Sequence, residues 1–368
     1  MKDFTSPLSA TENRTQRNEV LDAVAGLLIL HMILGHIMAW SYLKKTDLYA
    51  WMDVLFFFMP WFFFKSGQFH RDGHYLRQLL SSARRLLIPY VVFSLAGYAV
   101  KCYTLSLHND FSVHLTRVWT KFSHEGVLPG NGPLWFLLVL FVARQVYSLC
   151  PHRARVPLLA VAILGAFALQ HFFSVTDPIY PASLCTGLFF YGLGHQLRDV
   201  PRTPSFVLTA FLLYAGICLV QLSTLDMRTN LLYRGHFMLW VLAAAGGILS
   251  INALFAALPG WLLLPLRWVG RNSMSFYVTH MIWITAAKFV LMKRLGCTDH
   301  VHLAWGLVAV CVVVLPLQAL LFRLPVLHLL MGEKVRRRRQ CPKPVPAQEP
   351  PTAEPSTASR PESPGCTP

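Results

Sequence analysis

Three titratable groups, Asp22, His31 and His36, sit in the otherwise apolar run LDAVAGLLILHMILGH, residues 21–36. A charged carboxylate at the centre of a membrane span costs about 2.5–3.5 kcal/mol, so ionisable residues in such runs carry a function by default. Histidine is the side chain whose ordinary pKa lies closest to neutrality, which suits it to accept a proton from a hydroxyl nucleophile. His31 and His36 are separated by about 140° around a helix, so they do not share a face. Gly35 beside His36 lets a neighbouring backbone or a ligand approach closely. Asp22 falls near the helix start, where a carboxylate suits the positive end of the dipole.

Three further stretches carry groups able to do chemistry. In MPWFFFKSGQFHR, Ser66 and Gly67 either end a helix or present a hydroxyl and bare amides to a ligand. In HYLRQLLSSARRLLIPY, Arg77, Arg84 and Arg85 are either topological charge or a bidentate phosphate clamp. In RWVGRNSMSFYVTHM, Ser273, Tyr277 and His280 recur at i, i+4 and i+7, a polar stripe that would line a pocket inside a helix bundle. PGNGPLWFLLVLF enters its apolar run through Trp135, an interfacial aromatic or a pocket wall.

The elements that must position these residues are membrane helices. The chain has 368 residues, 54% of them hydrophobic and only 14% charged, against roughly 25% charged in soluble domains. A span needs about 20 mostly apolar residues. The candidates are 19–40, 48–68, 85–104, 133–150, 155–173, 180–197, 204–222, 233–257, 272–293 and 301–323. The expectation is an all-α polytopic membrane protein of about ten transmembrane helices with both termini cytoplasmic. In that arrangement, counting up to Arg339, 21 Lys and Arg fall on inner segments and span ends against 9 on outer ones, as the positive-inside rule requires. The net charge of +16 is then mostly topological, and nucleic acid is not an expected partner. Residues 1–18 read as a cytoplasmic segment, 19–330 as the membrane domain, and 331–368 as a disordered basic, then Pro-rich tail. The 101–131 connection has room for one short interfacial helix. No cysteine or histidine spacing suggests a metal site.

Taken in order, these pieces resemble the acyltransferase-3 family of integral membrane acyltransferases, known for acylating bacterial surface polysaccharides. The matching residues are Leu21-Asp22 through Gly26 and Gly35-His36, then Phe64 to Gly67, Arg84 to Tyr90, Leu134 to Leu137, and Gly270, Ser273, Tyr277 and His280. The resemblance covers about 19–325. It implies transfer of an acyl group, acetyl first among candidates, from acyl-CoA to a hydroxyl of a surface glycan or its lipid-linked precursor, in the bacterial inner membrane. No bound cofactor is implied; acyl-CoA is a co-substrate. His36 would be the base, with Asp22 and the Ser66-Gly67 region organising the pocket. Arg77, Arg84 and Arg85 would meet donor phosphates, while Trp135, Ser273, Tyr277 and His280 would line the path. One position departs: where the family usually carries Arg or Lys, eleven residues before the histidine, this chain has Ala25. Arg17 and Lys65 are the cations placed to substitute. A polysaccharide exporter or small-molecule transporter is the competing expectation.

Overall fold

The structure, a computed structural model, describes residues 18–43, 51–106, 111–172, 180–201, 203–220, 224–228 and 231–332. Asn18 caps the first helix, α1 (Glu19–Trp40), accepting hydrogen bonds of 3.1 Å from the N–H groups of Val20 and Leu21. Glu19 and Asp22 in the first turn complement the helix dipole. The helix stops where Ser41 Oγ donates back to the Ile37 carbonyl at 2.9 Å and Tyr42 takes a left-handed φ of 65°. Lys288 Nζ, from another helix, donates to the Trp40 carbonyl at 2.7 Å.

The other elements follow in order. After a 3-10 turn at Trp51–Leu55 come α2 (Phe58–Gln68), α3 (Tyr75–Ser82), α4 (Ile88–Ser106) and α5 (Phe111–Glu125). Then come α6 (Trp135–Leu149), α7 (Arg155–Phe172), α8 (Tyr180–Gln196) and α9 (Pro204–Val220). An antiparallel hairpin of β1 (Thr224–Asp226) and β2 (Leu231–Arg234) precedes α10 (Phe237–Ala257), α11 (Leu264–Arg271), α12 (Ser273–Lys293), α13 (His300–Leu321) and α14 (Pro325–His328). The hairpin was not legible in the sequence. α5 occupies the 101–131 connection, where one short helix was expected.

Among the described residues, seven helical stretches are long and apolar enough to cross a membrane: Glu19–Trp40, Tyr75–Thr104, Gly132–Leu149, His152–Phe172, Phe237–Ala257, Ser273–Lys293 and His300–Leu321. The chain is a multi-pass helical membrane protein. The three other expected spans are shorter. α8 and α9 have 17 residues each and α2 has 11. Eleven residues rise only about 16 Å, roughly half a hydrocarbon core. Pro60 lies in the first turn of α2, where its missing N–H is tolerated. The 1–17 segment, and the tail beyond Gly332, lie outside the described residues.

A π-helical turn over Ala83–Leu87 joins α3 to α4. Pro89 follows it and cannot donate to the carbonyl of Arg85, so the ladder must loosen there. Two helix crossings are built on paired glycines. A Cβ on Gly26 of α1 would stand 2.0 Å from the Leu266 carbonyl oxygen, and one on Gly270 of α11 would stand 1.7 Å from that of Asp22. On the other crossing, a Cβ on Gly67 of α2 would lie 1.8 Å from the Tyr191 oxygen, and one on Gly194 of α8 would lie 2.0 Å from that of Phe64. Backbone touches backbone at both places.

Candidate functional site

The sequence-predicted residues separate into two groups, at opposite ends of α1. Asp22 and His36 are fourteen residues apart, about 21 Å along the axis.

At the His36 end, the imidazoles of His36 (α1) and His280 (α12) approach with ring centroids 5.2 Å apart and planes tilted by 34°. His280 is fully buried. Its Nδ1 lies 2.7 Å from the Tyr277 carbonyl oxygen, and its Nε2 has no hydrogen-bond partner among the described residues. A carbonyl only accepts, so Nδ1 carries the proton, and in the neutral ring Nε2 holds a lone pair. Tyr277 donates its hydroxyl to the Pro133 carbonyl and packs edge-on against Phe136 at 5.8 Å. Trp135 is 6% exposed, too buried for an interfacial belt; it packs against Phe63 and Phe136. His31, on a different face as its spacing required, lies edge-on to Phe58 at 5.5 Å.

At the Asp22 end, two cations flank the carboxylate. Lys65 Nζ is 3.7 Å from Asp22 Oδ1 and Arg271 Nε is 3.7 Å from Oδ2. Lys65 also donates to the Leu21 carbonyl at 3.2 Å and lies over the Trp61 ring. Glu19 pairs with Arg267 at 2.7 Å and with Arg271 at 3.4 Å. Asp22 therefore sits in an ion network that ties α1 to α2 and α11, away from the imidazoles. Ala25 is fully buried. Ser66 donates to the Phe62 carbonyl of its own helix at 2.8 Å, and Gly67 faces the backbone of α8, so its bare Cα serves a helix crossing. Arg77 and Arg85 are exposed and Arg84 half-buried, along α3 and the π turn at this same end. Ser273 opens α12, about 10 Å below His280 along the helix. The polar stripe thus spans the gap between the ends rather than forming one pocket wall.

Sequence reasoning missed a second polar cluster at the Asp22 end. His70, only 1% exposed, places Nδ1 2.8 Å from the Tyr191 hydroxyl, with the His195 and Tyr147 rings each 5.1 Å away. Tyr147 bonds His195 Nδ1 at 2.9 Å. Arg155 stacks on Tyr147 at 4.9 Å and reaches Asp72 at 2.5 Å. The cluster ties α2, α6, α7 and α8 together. The Arg155 guanidinium beside Asp72 holds that carboxyl down at about 2. Burial pushes His70 down to about 4, with His195 adding to the effect. Between pH 6.5 and about 4 the unfolded chain binds a proton that folded His70 refuses, so stability falls as pH falls through this window. The group's share is about 2–3 kcal/mol. Thermal melts in detergent at pH 7 and pH 4.5 should show a smaller difference for His70→Gln than for the wild type. An equal difference would assign the pH dependence elsewhere.

Lys288 was also missed, though the rule that flagged His36 applies to it. It lies in a span and caps α1 beneath the Tyr42 ring, 4.1 Å from its centroid. Its C-terminal position on α1 suits a cation.

The described helices make a multi-pass helical membrane protein in which the imidazoles of α1 and α12 come together. Residues 18–323 match the family model described as an acyltransferase domain. The chain belongs to this family, the acyltransferase-3 family of membrane acyltransferases, which confirms the resemblance drawn from the motifs. No curated protein and no solved structure matches the chain.

Proposed function

We propose that this protein transfers an acyl group, acetyl as the first candidate, from acyl-CoA to a hydroxyl of a surface glycan or its lipid-linked precursor in a bacterial inner membrane. The observation that carries the reading is the His36–His280 pair, 5.2 Å apart in a member of an acyltransferase family, with His280 Nε2 buried and without a hydrogen-bond partner among the described residues. A neutral imidazole there can take the proton of an attacking hydroxyl as its oxygen adds to the thioester carbonyl. The tetrahedral adduct then expels the thiolate, which takes up a proton, and the ester remains on the acceptor. The donor's phosphates belong by charge at the Asp22 end, where Arg77, Arg84 and Arg85 lie. Lys65, reaching Leu21 and Asp22, is proposed to supply the cation that Ala25 does not. Ten crossings with both termini cytoplasmic remain part of the proposal, on the charge bias alone; α2, with 11 residues, is too short to cross by itself.

The test compares surface glycan from cells carrying the wild-type protein, His36→Ala at matched membrane levels, or neither. Ester-linked acyl groups are scored by mass spectrometry. Acylation present only with the wild type supports the reading, and the mass increment names the acyl group. Equal acylation in all three, with altered glycan export, would replace it with the transporter.

A further inference from the structure

The segment GVLPGNGP, residues 126–133, does more than connect α5 to α6. Tyr90 pins its start, donating to the Gly126 carbonyl at 2.5 Å. Gly130, at φ +104°, sits where a Cβ would stand 2.2 Å from the Gly97 oxygen of α4, and a Cβ on Gly97 would stand 2.7 Å from that of Asn131. This close approach drives Asn131 between α4 and α12, where it is 1% exposed. Its Nδ2 donates to the Val278 carbonyl at 2.8 Å and to the Phe93 carbonyl at 3.3 Å. Two residues on, the Pro133 carbonyl accepts from Tyr277. The loop thus holds Tyr277 and Val278, and the Tyr277 carbonyl in turn receives His280 Nδ1.

Stability alone does not account for Asn131. Its Oδ1 is buried without a hydrogen-bond partner among the described residues, and the penalty for such an acceptor roughly offsets the gain from two neutral bonds made by Nδ2. What the amide does provide is a fixed α12 backbone one turn before His280. The geometry points to Asn131 as a positioning residue for acyl transfer: through Val278, and with Pro133 acting on Tyr277, it fixes His280 with Nδ1 protonated and Nε2 presented beside His36. The inference rests on the acyl-transfer reading. In that reading His280 is the group being aimed, and Asn131 touches no reacting atom.

The test uses the full-length protein in membranes of cells that make its native acceptor. Asn131→Asp keeps the shape and removes the donor; Asn131→Leu removes both polar atoms. Acetyl-CoA turnover, thermal melting in detergent and carbethoxylation of His280 by diethyl pyrocarbonate are measured for each. Expected are wild-type melting, a fall in kcat of about 10- to 100-fold with donor KM unchanged, and a several-fold change in His280 labelling. Unchanged kcat, or kcat falling only as melting falls, overturns the inference, as does unchanged labelling. If the wild type turns over no acetyl-CoA, the proposed function fails on its own. Labelling then judges the clamp: His280 labelled equally in all variants leaves Asn131 with no positioning effect.

Discussion

His280→Ala lowers the rate of acyl transfer by about 10²–10⁴-fold, the usual loss for a group that moves a proton in the transition state. His36→Ala is expected to lose a similar factor, and the double variant to be little slower than the poorer single, because residues acting as one unit are not additive. The reason is the geometry: the two rings are 5.2 Å apart, with His280 buried. Rates are compared in membranes with matched protein levels. A His280→Ala protein at wild-type rate would reduce His280 to a packing residue and leave His36 to act alone. Donor KM is expected to hold in both variants, since the cationic residues lie about 21 Å away along α1.

Gly26→Val and Gly270→Val prevent the folded protein from accumulating. At each position the new Cβ would fall within 2.0 Å of a backbone carbonyl oxygen of the partner helix, and a backbone cannot rotate aside as a side chain can. The cost is at the exceptional end for a point change, about 4 kcal/mol or more. Separating α1 from α11 would also pull Arg267 and Arg271 away from Glu19. Size-exclusion profiles of detergent extracts measure the outcome. A monodisperse peak at wild-type yield for either variant would show that the crossing can open without loss of fold. Gly216 is a suitable control, because nothing lies within 4 Å of a Cβ there, and Gly216→Ala is expected to behave as wild type.

Much of this was legible in the residues, for reasons that differ from part to part. The long spans declared themselves because lipid demands runs of apolar residues, and α1, α10 and α13 meet that demand without interruption. The 48–68 run read as a span too, but it holds a 3-10 turn and then only the 11-residue α2; Pro60 sits in the first turn of that helix, and hydropathy does not register a break of that kind. His36 and His280 stood out as polar groups inside apolar runs, yet their pairing depends on how α1 and α12 cross, which no spacing within either helix encodes. The glycines of the motifs were visible, but their purpose was not. Gly67 could have been an opening for a ligand and Gly270 was only a motif residue, and the fold fills both with backbone. Asn131 was in plain view in the stretch PGNGP. Its importance comes from partners 38 and 147 residues away in sequence, contacts that only the assembled bundle creates.

The distance between the two ends of α1 also constrains the donor. If the donor's charged portion binds at the Asp22 end, as proposed, its acyl carbon must reach the imidazoles about 21 Å away along α1, some two-thirds of a hydrocarbon core of about 30 Å. A compact activated acyl compound, such as a mixed anhydride of phosphate, has no reach of that kind. On that reading the fourteen residues from Asp22 to His36 would act as a ruler, admitting only donors whose reactive carbon rides on a long, slender tether. On the proposed function they would also separate the supply of acyl groups from the acceptor without requiring the carrier itself to leave the side on which it is made.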